Sequence, residues 1–291
     1  MDTVGASLMK WLAPTPLEYF ATLVKAGDAM PLFEAAASLA QDDEPQLDLQ
    51  ALVTEIDTLA HRLKTRLPAD AGALTRLRML HHFFYTELGF SGNRNDYYAV
   101  HNSYLHEVLR TRMGIPVSLA VVWLELAHGI QLRADGVSFP GHFLVKVRLP
   151  DGYVVLDPLT GQSLSPEDIA ERLEPLRQHL TDAGDDEELP LALYLQAASA
   201  RDIVARMLRN LKEIHRSNRD WRRSVAVQDR LLVLEPDAWS ERRDRGIALA
   251  QLGRSTQALQ DLQAYVEQIP DAADIPDITR LIGELDRARR P

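Results

Sequence analysis

Two short segments set 34 residues apart, Leu234-Glu235-Pro236-Asp237 and Gln268-Ile269-Pro270-Asp271, constrain the fold of this chain more than any other feature. A helical run closed by Pro-Asp at that period marks stacked helix pairs, each of which covers its apolar face only against a neighbour. The second unit shows the pattern best. Gly246 and Ala258 stand where two helices approach closely, and Leu249, Leu252, Leu262 and Tyr265 fill the space between them. The first unit, from about Ala205, keeps Leu208, Leu211, Leu232 and Pro236 but carries Lys212 and Ser224 at the small positions. Residues 275–289 read as a capping helix. Two repeats fall short of the roughly three needed for independent stability, so this tail is expected to pack on the middle of the chain.

The remaining two thirds divide by texture. Between Pro16 and about Leu88, apolar residues recur at helical spacing: Leu17, Phe20, Leu23 and Val24, then Leu47 through Leu63, then Leu74, Leu77, Leu80 and Phe84. Pro31, the acidic stretch 41–45 and Pro68 punctuate them. Residues 89–98 have loop composition. Residues 102–113 read as a helix, and Pro116 opens a second one over 117–128. Beyond Gly129, residues 143–149 and 153–156 read as strands joined around Pro150-Asp151-Gly152. Helix, strand, strand is an α+β order. The acidic run 182–188 reads as a linker or a solvated turn.

Composition excludes several classes. The 32 basic residues against 42 acidic give −10 at pH 7, a sign that repels phosphate and argues against nucleic acid. Cysteine is absent, which removes disulfides, thiolate metal sites and cysteine nucleophiles together. The longest apolar stretch, 117–127, is about half the ~20 residues a membrane span needs, and it contains Ser118 and Glu125. No export signal is legible at the N-terminus, and a cytoplasmic location is expected. His81 and His82 are adjacent and point about 100° apart on a helix, and no metal or nucleotide motif appears, so no metal and no cofactor is expected.

One ordered set of residues carries chemistry: Ser118 at a helix start, His142 before a strand and Asp157 after the next. Nucleophilic catalysis needs a base within reach of the nucleophile and an acid that fixes the base's tautomer. The hairpin decides whether His142 meets Asp157. A two-residue Asp151-Gly152 loop pairs Asp157 with Lys146 and leaves His142 four residues away, about 13 Å. A four-residue connection over 148–151 sets the two opposite each other. Side chains alternate, so both registers place the pair on one sheet face.

The segments Arg112-Met-Gly-Ile-Pro-Val-Ser-Leu-Ala120, Gly136-Val-Ser-Phe-Pro-Gly-His-Phe-Leu144 and Leu156-Asp-Pro-Leu-Thr-Gly161 resemble the core of a bacterial SirB-type family. That family joins a transglutaminase-like core to C-terminal tetratricopeptide repeats. Asn102-Ser-Tyr-Leu105 and Gly89-Phe-Ser-Gly-Asn93 match its upstream motif, and the resemblance runs from Tyr85 to the C-terminus. It implies an α+β, mostly α fold. A helical N-terminal region (1–84) precedes a papain- or transglutaminase-like core with a small antiparallel sheet (85–181), then two repeats with a cap (196–291). In active relatives the triad is Cys, His, Asp. His142 and Asp157 match the second and third positions, and the first falls on or near Ser118, with no cysteine to fill it. A serine hydroxyl ionises far less readily than a thiol and needs a general base and an oxyanion hole.

Each of these residues also has a structural reading. Ser118 can cap its helix, His142 and Asp157 can pair for stability alone, and Asp157 before Pro158 can form a turn. Asn102 can line a pocket or cap a helix; Tyr97, Tyr98 and Trp123 read as core. In the tail, Arg242, Arg243 and Arg245 read as exposed on a concave face suited to an acidic or extended peptide, or as a solvated helix face offset by Glu241 and Asp244. Two functions follow: a non-catalytic or regulatory protein with a protein-binding tail, or a serine-dependent hydrolase or acyltransferase using Ser118, His142 and Asp157.

Overall fold

The computed structural model describes residues 14–93, 96, 98–182 and 190–289, with side chains 179–182 left undescribed. Tyr97 and nearly all of the acidic run 182–188 lie outside the described residues.

The N-terminal layer is helical where the periodicity places it. Helix α1 (Pro16–Val24) begins in a capping box, with Thr15 and Glu18 bonding each other's backbone N–H. Helices α2 (Leu32–Ala37), α3 (Leu49–Lys64) and α4 (Ala73–His81) follow. Helix α4 continues into a π-helical turn, His82–Glu87. The expected helix over 102–113 is shorter: a 3₁₀ turn at Val100–Asn102, then α5 (Leu105–Thr111), which Arg112 ends in the left-handed conformation. Helix α6 (Pro116–Gly129) is apolar nearly all round and is the buried centre of the molecule, with Trp123 fully enclosed.

Strand β1 (Ser91–Gly92) pairs in parallel with β2 (Met113–Gly114). The main sheet is an antiparallel meander of β3 (Ala134–Val137), β4 (Leu144–Leu149), β5 (Gly152–Leu156) and β6 (Ser163–Leu164). The alternation signal captured β4 and β5; β3 contains Asp135 and Gly136, and β6 is two residues long, so neither carries enough pattern to read. In the β4–β5 hairpin Leu149 faces Gly152, which makes Pro150-Asp151 the loop. Neither register weighed from the sequence is adopted. Extended by one step, the observed ladder sets Asp157 beside Leu144, two residues from His142.

Helix α7 (Pro166–Asp182) and the short α8 (Leu191–Tyr194) lead to the tail. There α9 (Ala200–Ser217) pairs with α10 (Trp221–Leu234), α11 (Trp239–Gln251) pairs with α12 (Ser255–Gln268), and α13 (Ile275–Arg289) caps the stack. Gly246 is where α11 and α12 meet: a Cβ there would lie 2.8 Å from Leu262. The tail docks chiefly on the N-terminal layer rather than on the sheet. Helix α10 lies on α1, while α9 lies on α2 and α6, so one apolar core runs from Phe20 to Leu234.

This seam holds His215 on α9, 2% exposed, lining a cavity of about 350 Å³ with Asp43, Asp220, Tyr104 and Arg223. Burial lowers its pKa; the charges of Asp220 and Asp43 oppose that and Arg223 adds to it. The unfolded chain therefore takes up this proton first as pH falls through about 6.5, and the folded state loses stability below that point. Urea melts at pH 7 and at pH 5 test it. His215→Gln should narrow the gap between them, and an unchanged gap would remove His215 as its source.

Candidate functional site

The site is built on the turn that ends β5. Asp157 is buried, and its backbone accepts from Gly161 N–H at 2.7 Å, closing a tight turn over 157–161. From the π-helical turn, Tyr85 donates its hydroxyl to Pro158 O at 3.0 Å, and His81 Nε2 lies 3.0 Å from Gly161 O. The inserted residue of a π turn brings both rings of α4's end onto this one loop. Strand β1 holds the opposite side, with Gly92 N–H donating to Leu159 O at 3.3 Å.

On the other strand, Gly141 takes φ +68°, and His142 N–H reaches back to Phe139 O at 3.1 Å. This bend carries His142 off the ladder towards the carboxylate. Nε2 of His142 is 3.2 Å from Asp157 Oδ1. The same oxygen accepts Leu159 N–H at 2.9 Å, and Oδ2 accepts Arg172 Nη2 from α7 at 3.1 Å. Burial alone would raise the carboxyl's pKa, but the hydrogen bonds from His142, Leu159 and Arg172 and the charge of His142 outweigh it and hold Asp157 below the usual carboxylate range. Burial and the Asp157 charge push the Tyr85 hydroxyl up, so it stays a neutral donor.

With Nε2–H donating to the carboxylate, Nδ1 is the basic nitrogen of His142, and among the described residues it has no protein partner. The half-buried ring is therefore an oriented base. Arg172, Tyr85 and His81 support it, and sequence reasoning missed all three. Arg172 falls on an ordinary amphipathic helix, and no spacing relates residues 81 and 85 to a turn more than 70 positions later.

Ser118 is placed differently. It is 0% exposed as the third residue of α6, and its hydroxyl donates towards Asn102 O at 2.6 Å and Ile115 O at 3.1 Å while accepting Ile115 N–H at 3.1 Å. Gly114 leaves room for it: a Cβ there would come within 2.7 Å of the Ser118 oxygen. Its described partners are all backbone groups, and none joins it to His142 or Asp157. Asn102 is equally enclosed. Its Nδ2 donates to Asp96 O at 2.6 Å and its Oδ1 accepts Asn93 Nδ2 at 3.0 Å, which ties both ends of the carboxamide to the loop before it. Trp123 is core as expected, whereas Tyr98 is 76% exposed.

The tail arginines depart from their sequence reading. Arg245 binds Asp261 through Nε at 2.7 Å and Nη2 at 2.8 Å, and Asp229 through Nη1 at 2.7 Å, so its guanidinium clamps α11 to α10 and α12. Reversing its charge would break the stack before it tested a partner. Arg243 is held by Asp244 and Asp274, and Arg242 lies over the Trp239 ring at 5.1 Å. The spacing of charges on α11 cannot reveal the partners of Arg245, because Asp229 and Asp261 sit on other helices.

Residues 50–209 match the transglutaminase-like superfamily and residues 211–283 match tetratricopeptide repeats. The first match begins upstream of Tyr85 and takes in nearly all of α3, α4 and the first ten residues of α9. The chain is 34% identical to a UPF0162 protein of Xylella fastidiosa, over 90% of this chain and 92% of the relative. A UPF0162 protein of Vibrio cholerae is 29% identical over 84% and 88%, and the SirB1 protein of Salmonella typhimurium is 27% identical over 67% and 71%. No solved structure matches the chain. Motifs, architecture and relatives agree: the chain belongs to the SirB-type UPF0162 family, a transglutaminase-like core followed by tetratricopeptide repeats.

Proposed function

We propose that this chain is a non-catalytic, regulatory transglutaminase-like protein whose helical tail takes a protein or peptide partner. The observation that carries the reading is Ser118: the hydroxyl at the expected nucleophile position is sealed from solvent and bonded to the backbone of Ile115 and Asn102. No cysteine exists to replace it. The His142–Asp157 pair, braced by Arg172, then serves to hold the β4–β5 end of the core in one shape. Tetratricopeptide repeats support a protein-binding role for the tail. No helix of the described residues is long and apolar enough to cross a membrane. A cytoplasmic location and the division into 1–84, 85–181 and 196–291 belong to this same reading.

A serine-directed fluorophosphonate should leave the protein unlabelled, and an activated ester should turn over no faster with the wild type than with Ser118→Ala. The substitution should still lower stability by about 1–2 kcal/mol, because it removes a buried hydroxyl that serves three backbone groups. Labelling that is lost in Ser118→Ala would reverse the conclusion.

A further inference from the structure

Between the loop that leads to His142 and the first helix of the tail lies a cleft of about 460 Å³. Pro140 stands on one side, Leu193 and Tyr194 of α8 on another, and Asp202, Arg206 and Arg209 of α9 on the third. The charges on α9 are not equivalent. Asp202 is committed to capping, accepting Ser199 N–H at 3.0 Å and the Ser199 hydroxyl at 2.7 Å. Arg209 is held by Glu235 and, through Nε at 3.4 Å, by Glu241. Arg206 is half-buried in the cleft wall and has neither a hydrogen bond nor an ion pair among the described residues. Beside it Leu193 is 46% exposed, a large aliphatic side chain open to solvent next to a cation that has no ion pair among the described residues.

Behind the cleft, the segment 195–198 lies against edge strand β3: Ala198 N–H donates to Gly136 O at 2.8 Å, and the Lys146 side chain donates to Leu195 O at 2.5 Å. An extended chain entering from the tail side therefore meets this segment at Gly136. The cleft suits the end of a chain rather than its middle.

We infer that this cleft binds the C-terminus of a partner peptide, with the free carboxylate on Arg206 and an apolar last side chain against Leu193, Tyr194 and Pro140. A planar guanidinium matches a carboxylate with two parallel hydrogen bonds, and capture of terminal carboxylates is a recurring recognition mode. The inference rests on the peptide-binding reading of the tail and moves its centre from Arg242 and Arg245 to α8 and α9. The peptide's end would lie beside residues 138–140, which lead directly into His142.

The test uses the full-length chain and fluorescence anisotropy with two pools of fluorescein-labelled hexapeptides ending in Leu or Phe. One pool carries a free terminal carboxylate and the other a terminal amide. The free-acid pool should bind at least about tenfold more tightly, as expected for a charge-assisted pair. Arg206→Gln should erase that preference without moving the melting temperature, since Arg206 has no partner among the described residues to lose. Equal binding of both pools, or a preference that survives Arg206→Gln, would overturn the terminal-carboxylate inference while leaving a peptide-binding tail in place. Binding by neither pool would overturn both.

Discussion

Asp42→Ala should destabilise the protein by about 3–5 kcal/mol, the largest loss expected from any single side chain at the seam between tail and N-terminal layer. Arg230 on α10 is fully buried; its Nε and Nη2 donate to Asp42 at 2.6 and 2.9 Å, and its guanidinium lies 4.9 Å from the Phe20 ring centre. Removing the carboxylate leaves a buried cation without its counter-charge, and Arg230 Nη1 already lacks a hydrogen-bond partner among the described residues. The magnitude comes from the stranded charge, not from the value of the pair itself. Replacing both partners at once, Asp42→Leu with Arg230→Met, should therefore recover most of the loss. Thermal melts of the single and double variants check this, with a fall on the order of 10 °C expected for the single one. A double variant as unstable as the single would show that the specific ion pair, rather than the avoided burial of a lone charge, holds the tail in place.

That seam was invisible in the sequence for a definable reason. Helix periodicity reports which face of an element is apolar, and it correctly marked α1, α3, α9 and α12. It does not report which two apolar faces meet. The tail was expected to need a neighbour because two repeats bury too little surface alone; the neighbour turned out to be α1 and α2, nearly 200 residues earlier in the chain. The same limit governs polar side chains. Arg245 looks solvent-facing on a helical wheel of α11, yet Asp229 and Asp261 reach it from the two adjacent helices. Arg230 sits in a helix that also carries Arg222, Arg223 and Asp229, and nothing local distinguishes it from them.

Local chemistry fared better wherever local geometry governs it. Pro116 opening α6, Gly246 at a close helix crossing and the turn at residues 150–152 each follow from the backbone requirements of one residue type. The hairpin shows where that reasoning stops. Alternation put His142 and Asp157 on one sheet face, since either register considered, and the one observed, preserves parity. The loop length then fixes the distance along the strand, and Pro150-Asp151 gave an offset neither alternative contained. The 3.2 Å approach arises instead from Gly141, whose positive φ turns His142 back towards the carboxylate. A Pro-Gly pair ahead of a histidine is a readable sign of a bend, but its direction depends on Phe139, which anchors the bend by packing fully buried with Val137, Leu144 and Val155.

Asp157→Ala should cost about 3 kcal/mol near neutral pH, and the way this cost varies with acidity separates its cause from simple packing. The carboxylate accepts from His142, from Leu159 N–H and from Arg172, three donors on three different stretches of chain. Alanine leaves all three without their acceptor in a region where Asp157 itself is 4% exposed. The pKa of Asp157 is lower in the folded protein than in the unfolded chain. Its stabilising contribution is therefore complete above the unfolded carboxylate pKa of about 4 and is lost as pH falls through the folded value. Wild type and variant should accordingly differ most above about pH 5, and their stabilities should begin to converge below about pH 4. Urea melts across that range measure the difference directly. A gap that persists unchanged at pH 3 would mean that the lost carboxyl volume, not the ionised carboxylate, is what the 157–161 turn depends on. Convergence would identify the charge on Asp157, held jointly by His142 and Arg172, as the group that fixes this end of the transglutaminase-like core.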